Sequence, residues 1–143
     1  MRARCGTWSS KSCVSNSCRF GEDSVERMIR YLVEVLEESP FPAPPRILDL
    51  GMGNGHLLFG MLEASEELPA GTVVPENLRG VDYSPASVQL AKSIGKRRGG
   101  GCENVPFEEA DLCDQPTVSR LAAAANGGKG WDIVCDKGTV RYH

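Results

Sequence analysis

The chain contains no long run of apolar residues. None of its 143 residues lies in a stretch of about 20 consecutive apolar side chains, the length that a membrane-spanning helix requires. A soluble protein without a membrane partner is therefore expected, and the chain length is typical of a single domain.

Residues that commonly bind metals are few and scattered. The only two histidines are His56 and His143, and the six cysteines include no Cys-x-x-Cys pair. Structural zinc sites usually contain such pairs, so we expect no metal site. Free thiols in a reducing compartment are the simpler interpretation of the cysteines, and we predict a cytoplasmic protein.

Acidic residues are absent from the first 20 positions. Four of the 16 basic residues lie there, so 12 basic and 19 acidic residues remain in the rest of the chain, which carries a net charge of −7. An acidic body disfavours nucleic acid as a partner and is compatible with a basic protein substrate. Residues 1–19 are predicted to be a disordered leader. A mitochondrial transit peptide is the alternative, but no amphipathic apolar stripe supports it.

Helical and strand patterns alternate after this leader. The sequence changes character at Gly21, and a helix that ends in the Pro-rich segment at 39–45 is predicted after it, with Asp23 and Glu26 spaced as a capping box. Four short strands are predicted at 46–50, 78–81, 105–110 and 131–135. Helices are predicted at 56–62, from Ser84 to the glycines at 99–101, and at 116–125. This alternation predicts an α/β fold, a Rossmann-like parallel sheet in the order 3-2-1-4 with flanking helices.

A glycine-rich turn follows the first predicted strand. The segment from Asp49 to Gly55 reads Asp-Leu-Gly-Met-Gly-Asn-Gly, and its glycines permit a sharp turn and the close approach of a ligand. A nicotinamide dehydrogenase, the main alternative enzyme class, would show Gly-x-Gly-x-x-Gly and thus a glycine where His56 stands. The Gly-x-Gly-x-Gly pattern and the preceding Asp49, which could orient an amino group, favour S-adenosylmethionine. No chemistry is assigned to His56.

Polar residues also close the second and third strands. Asp82 is placed to accept hydrogen bonds from two ribose hydroxyls, and Asp111 to accept one from an adenine amine, with Leu112 on the purine face. Each aspartate alone could be an ordinary loop or cap residue. Their coincidence with the glycine turn predicts a nucleoside site.

These segments resemble the seven-strand lysine methyltransferases of elongation factor 1-alpha. The resemblance covers residues 20–139 and depends most on Gly-Val-Asp-Tyr-Ser-Pro at 80–85 and Asp-Lys-Gly-Thr at 136–139. It implies an S-adenosyl-L-methionine-dependent protein-lysine methyltransferase, monomeric when complete, that acts on elongation factor 1-alpha. The cofactor contacts that it implies are Asp49, Gly51, Gly53, Gly55, Asp82, Tyr83, Asp111 and Leu112.

The resemblance also places Asp136 beside the transferred methyl group, with Lys137, Gly138 and Thr139 at the rim of the active site. We expect Asp136 to hold or desolvate the incoming amine, since in-line methyl transfer requires mainly alignment and a neutral lysine.

Both ends of the chain depart from the family pattern. Residues 1–19 differ from the expected N-terminal arm, and three further strands are expected after Thr139, so residues 20–143 are interpreted as the N-terminal part of a methyltransferase domain. A catalytically silent fragment that binds cofactor or a partner is the alternative, because the fourth strand would be an unpaired apolar edge.

Overall fold

The computed structural model describes residues 22–38, 41–124, 130–137 and 139. The predicted leader at 1–19, the helix stop at 126–128, Gly138 and the last four residues lie outside the described residues. The described helices are α1 Glu22–Glu38, α2 His56–Ala64, α3 Pro85–Arg98 and α4 Gln115–Ala123. The described strands are β1 Ile47–Leu50, β2 Leu78–Asp82, β3 Phe107–Glu109 and β4 Ile133–Asp136.

The four strands form one parallel sheet in the order β3-β2-β1-β4. This confirms the predicted fold class and strand order. The register pairs Leu50 with Val81 on one side and with Asp136 on the other. The carboxyl ends of β1, β2 and β4 therefore lie next to one another at the same edge of the sheet.

Apolar side chains cover both faces of the sheet. The larger cluster joins the buried stripe of α1 to α2 and α3, and it includes Ile47 and Leu78 from the central strands. The smaller cluster, on the opposite face, joins Leu48 and Val81 to Leu121 of α4. Among the described residues no helix has the length and apolar character needed to cross a membrane.

Several predicted boundaries are wrong by one or two residues. Helix α1 begins at Glu22, so Asp23 lies inside the first turn and does not cap the helix. Helix α4 begins one residue earlier than predicted, because the carboxylate of Asp114 caps it by accepting from the backbone N–H of Thr117 at 3.0 Å. Strand β4 begins at Ile133 instead of Trp131, whose indole N–H donates to the carbonyl of Leu121 at 3.0 Å.

Candidate functional site

The glycine turn after β1 has a left-handed backbone at three positions. Gly51, Gly53 and Gly55 have φ angles of 62°, 57° and 80°, a conformation that glycine adopts without the steric cost of a Cβ atom. The N–H of Gly55 donates to the carbonyl of Met52 at 3.0 Å and closes the turn. The local sequence thus accounts for the sharp reversal between β1 and α2.

The glycines differ in what surrounds them. A Cβ atom on Gly55 would lie 2.9 Å from the ring of Phe59 and 3.0 Å from the ring of Phe107. A Cβ on Gly51 would overlap the hydroxyl of Thr139, whereas a Cβ on Gly53 would meet nothing within 4 Å. Gly55 therefore allows close packing, and Gly53 is the position at which the turn faces open space.

Asp82 connects the glycine turn to the end of β2. Its carboxylate accepts from the N–H of Gly53 at 3.0 Å and from the N–H of Ser84 at 2.9 Å. The side chain is nearly buried, with 9% of the residue exposed. Ser84 in turn caps α3 by accepting from the N–H of Ser87 at 3.3 Å. Asp82 thus has a structural role that the sequence allowed as the alternative to a ribose contact.

Asp49 is fully buried in β1, with 0% of the residue exposed. Its Oδ1 accepts from the Nζ of Lys137 at 2.5 Å, whereas its Oδ2 is buried and has no hydrogen-bond partner among the described residues. Burial raises the pKa of Asp49, and the neighbouring Lys137 ammonium opposes that rise. The sequence did not predict this pair, since its members are 88 residues apart and no local pattern connects them.

Asp136 ends β4 beside the end of β1. Its Oδ1 accepts from the backbone N–H of Thr139 at 2.7 Å, and the hydroxyl of Thr139 donates to the carbonyl of Leu50 at 3.2 Å. Lys137 and Thr139 thereby each contact β1. The structure places Asp136 at the same sheet edge as Asp49 and Asp82.

The two residues predicted to contact adenine lie after β3, and Tyr83, a further predicted cofactor contact, lies after β2. Asp111 is exposed, and its Oδ1 accepts from the N–H of Cys113 at 2.8 Å. Leu112 is half-buried and packs against the smaller core cluster, and Tyr83 is 77% exposed. The carbonyl of Asp82 accepts from the N–H of Ala110 at 2.9 Å. The chain just after β3 is therefore hydrogen-bonded to the end of β2, next to the glycine turn.

Two other groups near the turn have no assigned chemistry. The N–H of His56 donates to Asn54 Oδ1 at 3.1 Å at the start of α2. Burial raises the pKa of the Cys135 thiol to about 11, so this cysteine is protonated at neutral pH.

Among the described residues no group of three or more metal-binding side chains is close enough to hold an ion.

Comparisons with known proteins identify the family of the chain. A family model described as a methyltransferase domain matches residues 45–142. Protein-lysine N-methyltransferase efm4 of Schizosaccharomyces pombe is 39% identical over 128 residues, which cover 84% of this chain and 47% of the relative. EEF1A lysine methyltransferase 2 of Homo sapiens is 29% identical over 120 residues, covering 84% of this chain and 41% of the relative. The chain thus spans about half the length of these relatives or less.

One solved structure supports the fold. A SAM-dependent methyltransferase from Thiobacillus denitrificans, in complex with S-adenosyl-L-homocysteine, matches 84% of this chain and 38% of its own chain with a TM-score of 0.50 and 20% sequence identity. The likeness confirms the Rossmann-like arrangement of the sheet and its flanking helices.

Proposed function

Because the chain belongs to the methyltransferase-domain family, we propose that it is the cofactor-binding part of an S-adenosyl-L-methionine-dependent protein-lysine methyltransferase that acts on elongation factor 1-alpha. The observation that carries this proposal is the contact of Asp82 with Gly53. A buried carboxylate is held by the one glycine of the turn that faces open space. Relatives named as lysine methyltransferases support the reaction and the substrate.

The chain's own residues suit the proposed cofactor. A carboxylate has about four acceptor positions, and the two backbone hydrogen bonds leave Asp82 two for ribose hydroxyls. The buried Oδ2 of Asp49, which has no hydrogen-bond partner in the described part of the chain, suits a cationic donor such as an α-ammonium. Exposed Tyr83 and Asp111, with Leu112, would border the adenine.

When bound, S-adenosylmethionine supplies a methyl group on a sulfonium. The contribution of the chain to transfer is alignment, because an in-line displacement needs no covalent nucleophile. Asp136 at the end of β4 would hold the incoming lysine amine close to the open side of the turn. Its carboxylate is oriented for this role by the hydrogen bond from Thr139.

The cellular setting and the partner belong to the same proposal. The free thiols of Cys102, Cys113 and Cys135 support a reducing compartment, and we place the activity in the cytoplasm. The net charge of −7 after residue 20, from 12 basic and 19 acidic residues, supports a basic protein surface as the partner in preference to nucleic acid. A monomer is proposed for the complete protein.

A silent binding fragment is not favoured, because the relatives are named as enzymes.

Calorimetric titration of the purified chain tests the proposal. We expect heat of binding with S-adenosylmethionine and with S-adenosylhomocysteine, and none with a nicotinamide dinucleotide. Binding of the dinucleotide alone would contradict the proposed cofactor. Incubation with purified elongation factor 1-alpha and mass spectrometry of its lysines then tests the proposed substrate.

A further inference from the structure

A buried carboxylate needs a counter-charge to stay ionised. Asp49 lies in the interior of the sheet, and moving its charge out of water favours the protonated form. The register pairs Asp49 with Cys135, two residues before Lys137. The Lys137 side chain, which is 18% exposed, reaches back to Asp49 Oδ1 at 2.5 Å. Lys137, which follows the end of β4, is thus the cation that opposes protonation of Asp49.

The other charged groups beside Asp49 in the described part of the chain favour its protonation. Asp136 from β4 and Asp82 from β2 are both negative and raise the pKa of Asp49. Cys135, from the neighbouring strand, is protonated and carries no charge at neutral pH. The buried residues of α2, which packs on this face, are apolar or glycine. Among the described residues, Lys137 is therefore the cation that offsets burial and two like charges.

The hydrogen bonding of Asp49 is incomplete on one side. Lys137 occupies Oδ1, and Oδ2 is buried with no partner among the described residues. A buried acceptor without a donor is costly, and an ionised oxygen accepts much more strongly than a protonated carboxyl group. An ammonium donor, either in direct contact or through one water molecule, would satisfy this oxygen.

We propose that Lys137 is a positioning residue that holds Asp49 ionised and oriented, so that Asp49 Oδ2 accepts from the α-ammonium of the bound cofactor. This inference rests on the proposed function. Lys137 acts through Asp49 and needs no contact with the transferred methyl group.

The test compares three variants by calorimetry with S-adenosylhomocysteine, which carries the α-ammonium. Lys137→Met removes the charge and keeps the chain length, Lys137→Arg keeps the charge, and Lys92→Met is the control on the exposed side of α3. The control ligand is 5′-deoxy-5′-methylthioadenosine, which lacks the amino-acid portion. Each titration is made from pH 5.5 to 8.5.

We expect Lys137→Met to weaken S-adenosylhomocysteine binding on the acidic side, by about tenfold for each unit by which the pKa of Asp49 rises. The affinity should approach that of the unsubstituted chain as the pH rises, because higher pH favours the ionised form of Asp49 in both proteins. Lys137→Arg and Lys92→Met should resemble the unsubstituted chain. Methylthioadenosine affinity should not change in any variant, since that ligand has no ammonium.

Proton release gives a second measurement, which the unsubstituted chain alone can provide if Lys137→Met does not fold. Titrations at pH 7 in two buffers of different ionisation enthalpy count the protons released on binding. We expect the unsubstituted chain to release no proton on binding. The Lys137→Met chain should release up to one proton, because its Asp49 must ionise as the ligand binds.

Release of a proton by the unsubstituted chain would overturn the inference, and so would identical pH profiles for the unsubstituted chain and Lys137→Met. Both results would leave the proposed function intact, because the ligand binds. Failure of the unsubstituted chain to bind S-adenosylhomocysteine at any pH would overturn the proposed function and this inference together.

Discussion

Asp82 accepts a hydrogen bond from the backbone N–H of Gly53, 29 residues earlier, at 3.0 Å. The contact connects the end of β2 to the turn that follows β1, and the other carboxylate oxygen holds the start of α3 through Ser84. The same side chain therefore stabilises the turn and has acceptor positions left for a ligand. Its structural and binding roles should be separable by measuring both in one variant.

Asp82→Ala should lower both stability and cofactor affinity. Loss of charge-assisted hydrogen bonds of about 1.5 to 3 kcal/mol corresponds to roughly ten- to a hundredfold weaker S-adenosylmethionine binding. Asp82→Asn should lower affinity less, since one acceptor oxygen remains. Calorimetry and thermal unfolding of the same preparations provide the two measurements. Unchanged affinity in a folded Asp82→Ala chain would rule out the ribose contact.

Gly53→Ala should weaken cofactor binding more than it destabilises the chain. The new Cβ meets nothing within 4 Å. The free energy of unfolding should therefore fall only by the strain of a left-handed backbone at alanine, about 1 to 2 kcal/mol. Gly71→Ala is the matched control, because Gly71 also has a positive φ and open space but lies in the loop before β2. If both variants bind S-adenosylhomocysteine equally well, the ligand does not approach the turn at Gly53.

Asp136→Asn should slow methyl transfer with little effect on cofactor affinity. Loss of the charge that holds the lysine amine should reduce kcat roughly ten- to a hundredfold, if the contact is worth about 1.5 to 3 kcal/mol in the transition state. Methylation of purified elongation factor 1-alpha measures the effect. Glu76→Gln, an equal charge change at an exposed turn, is the control. Equal turnover in both variants would exclude the proposed role of Asp136.

Gly95→Ala should destabilise the chain although alanine is the better helix former. The added Cβ would lie 2.8 Å from the carbonyl oxygen of Cys102. Forcing this atom into a packed site costs about 1 to 3 kcal/mol of stability, which outweighs the gain of about 1 kcal/mol from the higher helix propensity of alanine. Ser93→Ala, at an exposed position of the same helix, should be slightly stabilising. Urea unfolding measures both, and a more stable Gly95→Ala chain would show that the backbone at Cys102 moves away freely.

Asp132→Asn should reduce stability at neutral pH and have little effect in acid. Hydrogen bonds from Arg46 lower the pKa of Asp132. This carboxylate therefore stabilises the fold above its unfolded-state pKa of about 3.9, and the contribution is lost as pH falls through the lower folded value. The difference in unfolding free energy should be at most about 1 kcal/mol near pH 7, as for exposed ion pairs. A difference that persists at pH 2 would contradict this origin.

The order of the sheet was predictable because each strand and turn has a local pattern. The Gly-x-Gly-x-Gly turn and Asp82 were placed at the correct strand ends, although their ligand contacts stay predictions. The Asp49 to Lys137 pair had no local signal, because it depends on the register of β1 and β4. A capping signal at Asp114 was present and was missed. The need for Gly95 could be recognised only from the structure, in which the carbonyl group of Cys102 lies against α3.

The separation of Asp49 from Lys137 has a consequence for synthesis on the ribosome. Strands β1, β2 and β3 are made before β4, so Asp49 precedes its counter-ion by 88 residues. At about 5 to 20 residues per second, that interval lasts roughly 4 to 18 s. During it, an ionised Asp49 disfavours closure of the nascent sheet around it, because a buried charge without a counter-ion is costly. The emergence of Lys137 therefore marks the earliest moment at which this part of the fold can close with its charge neutralised.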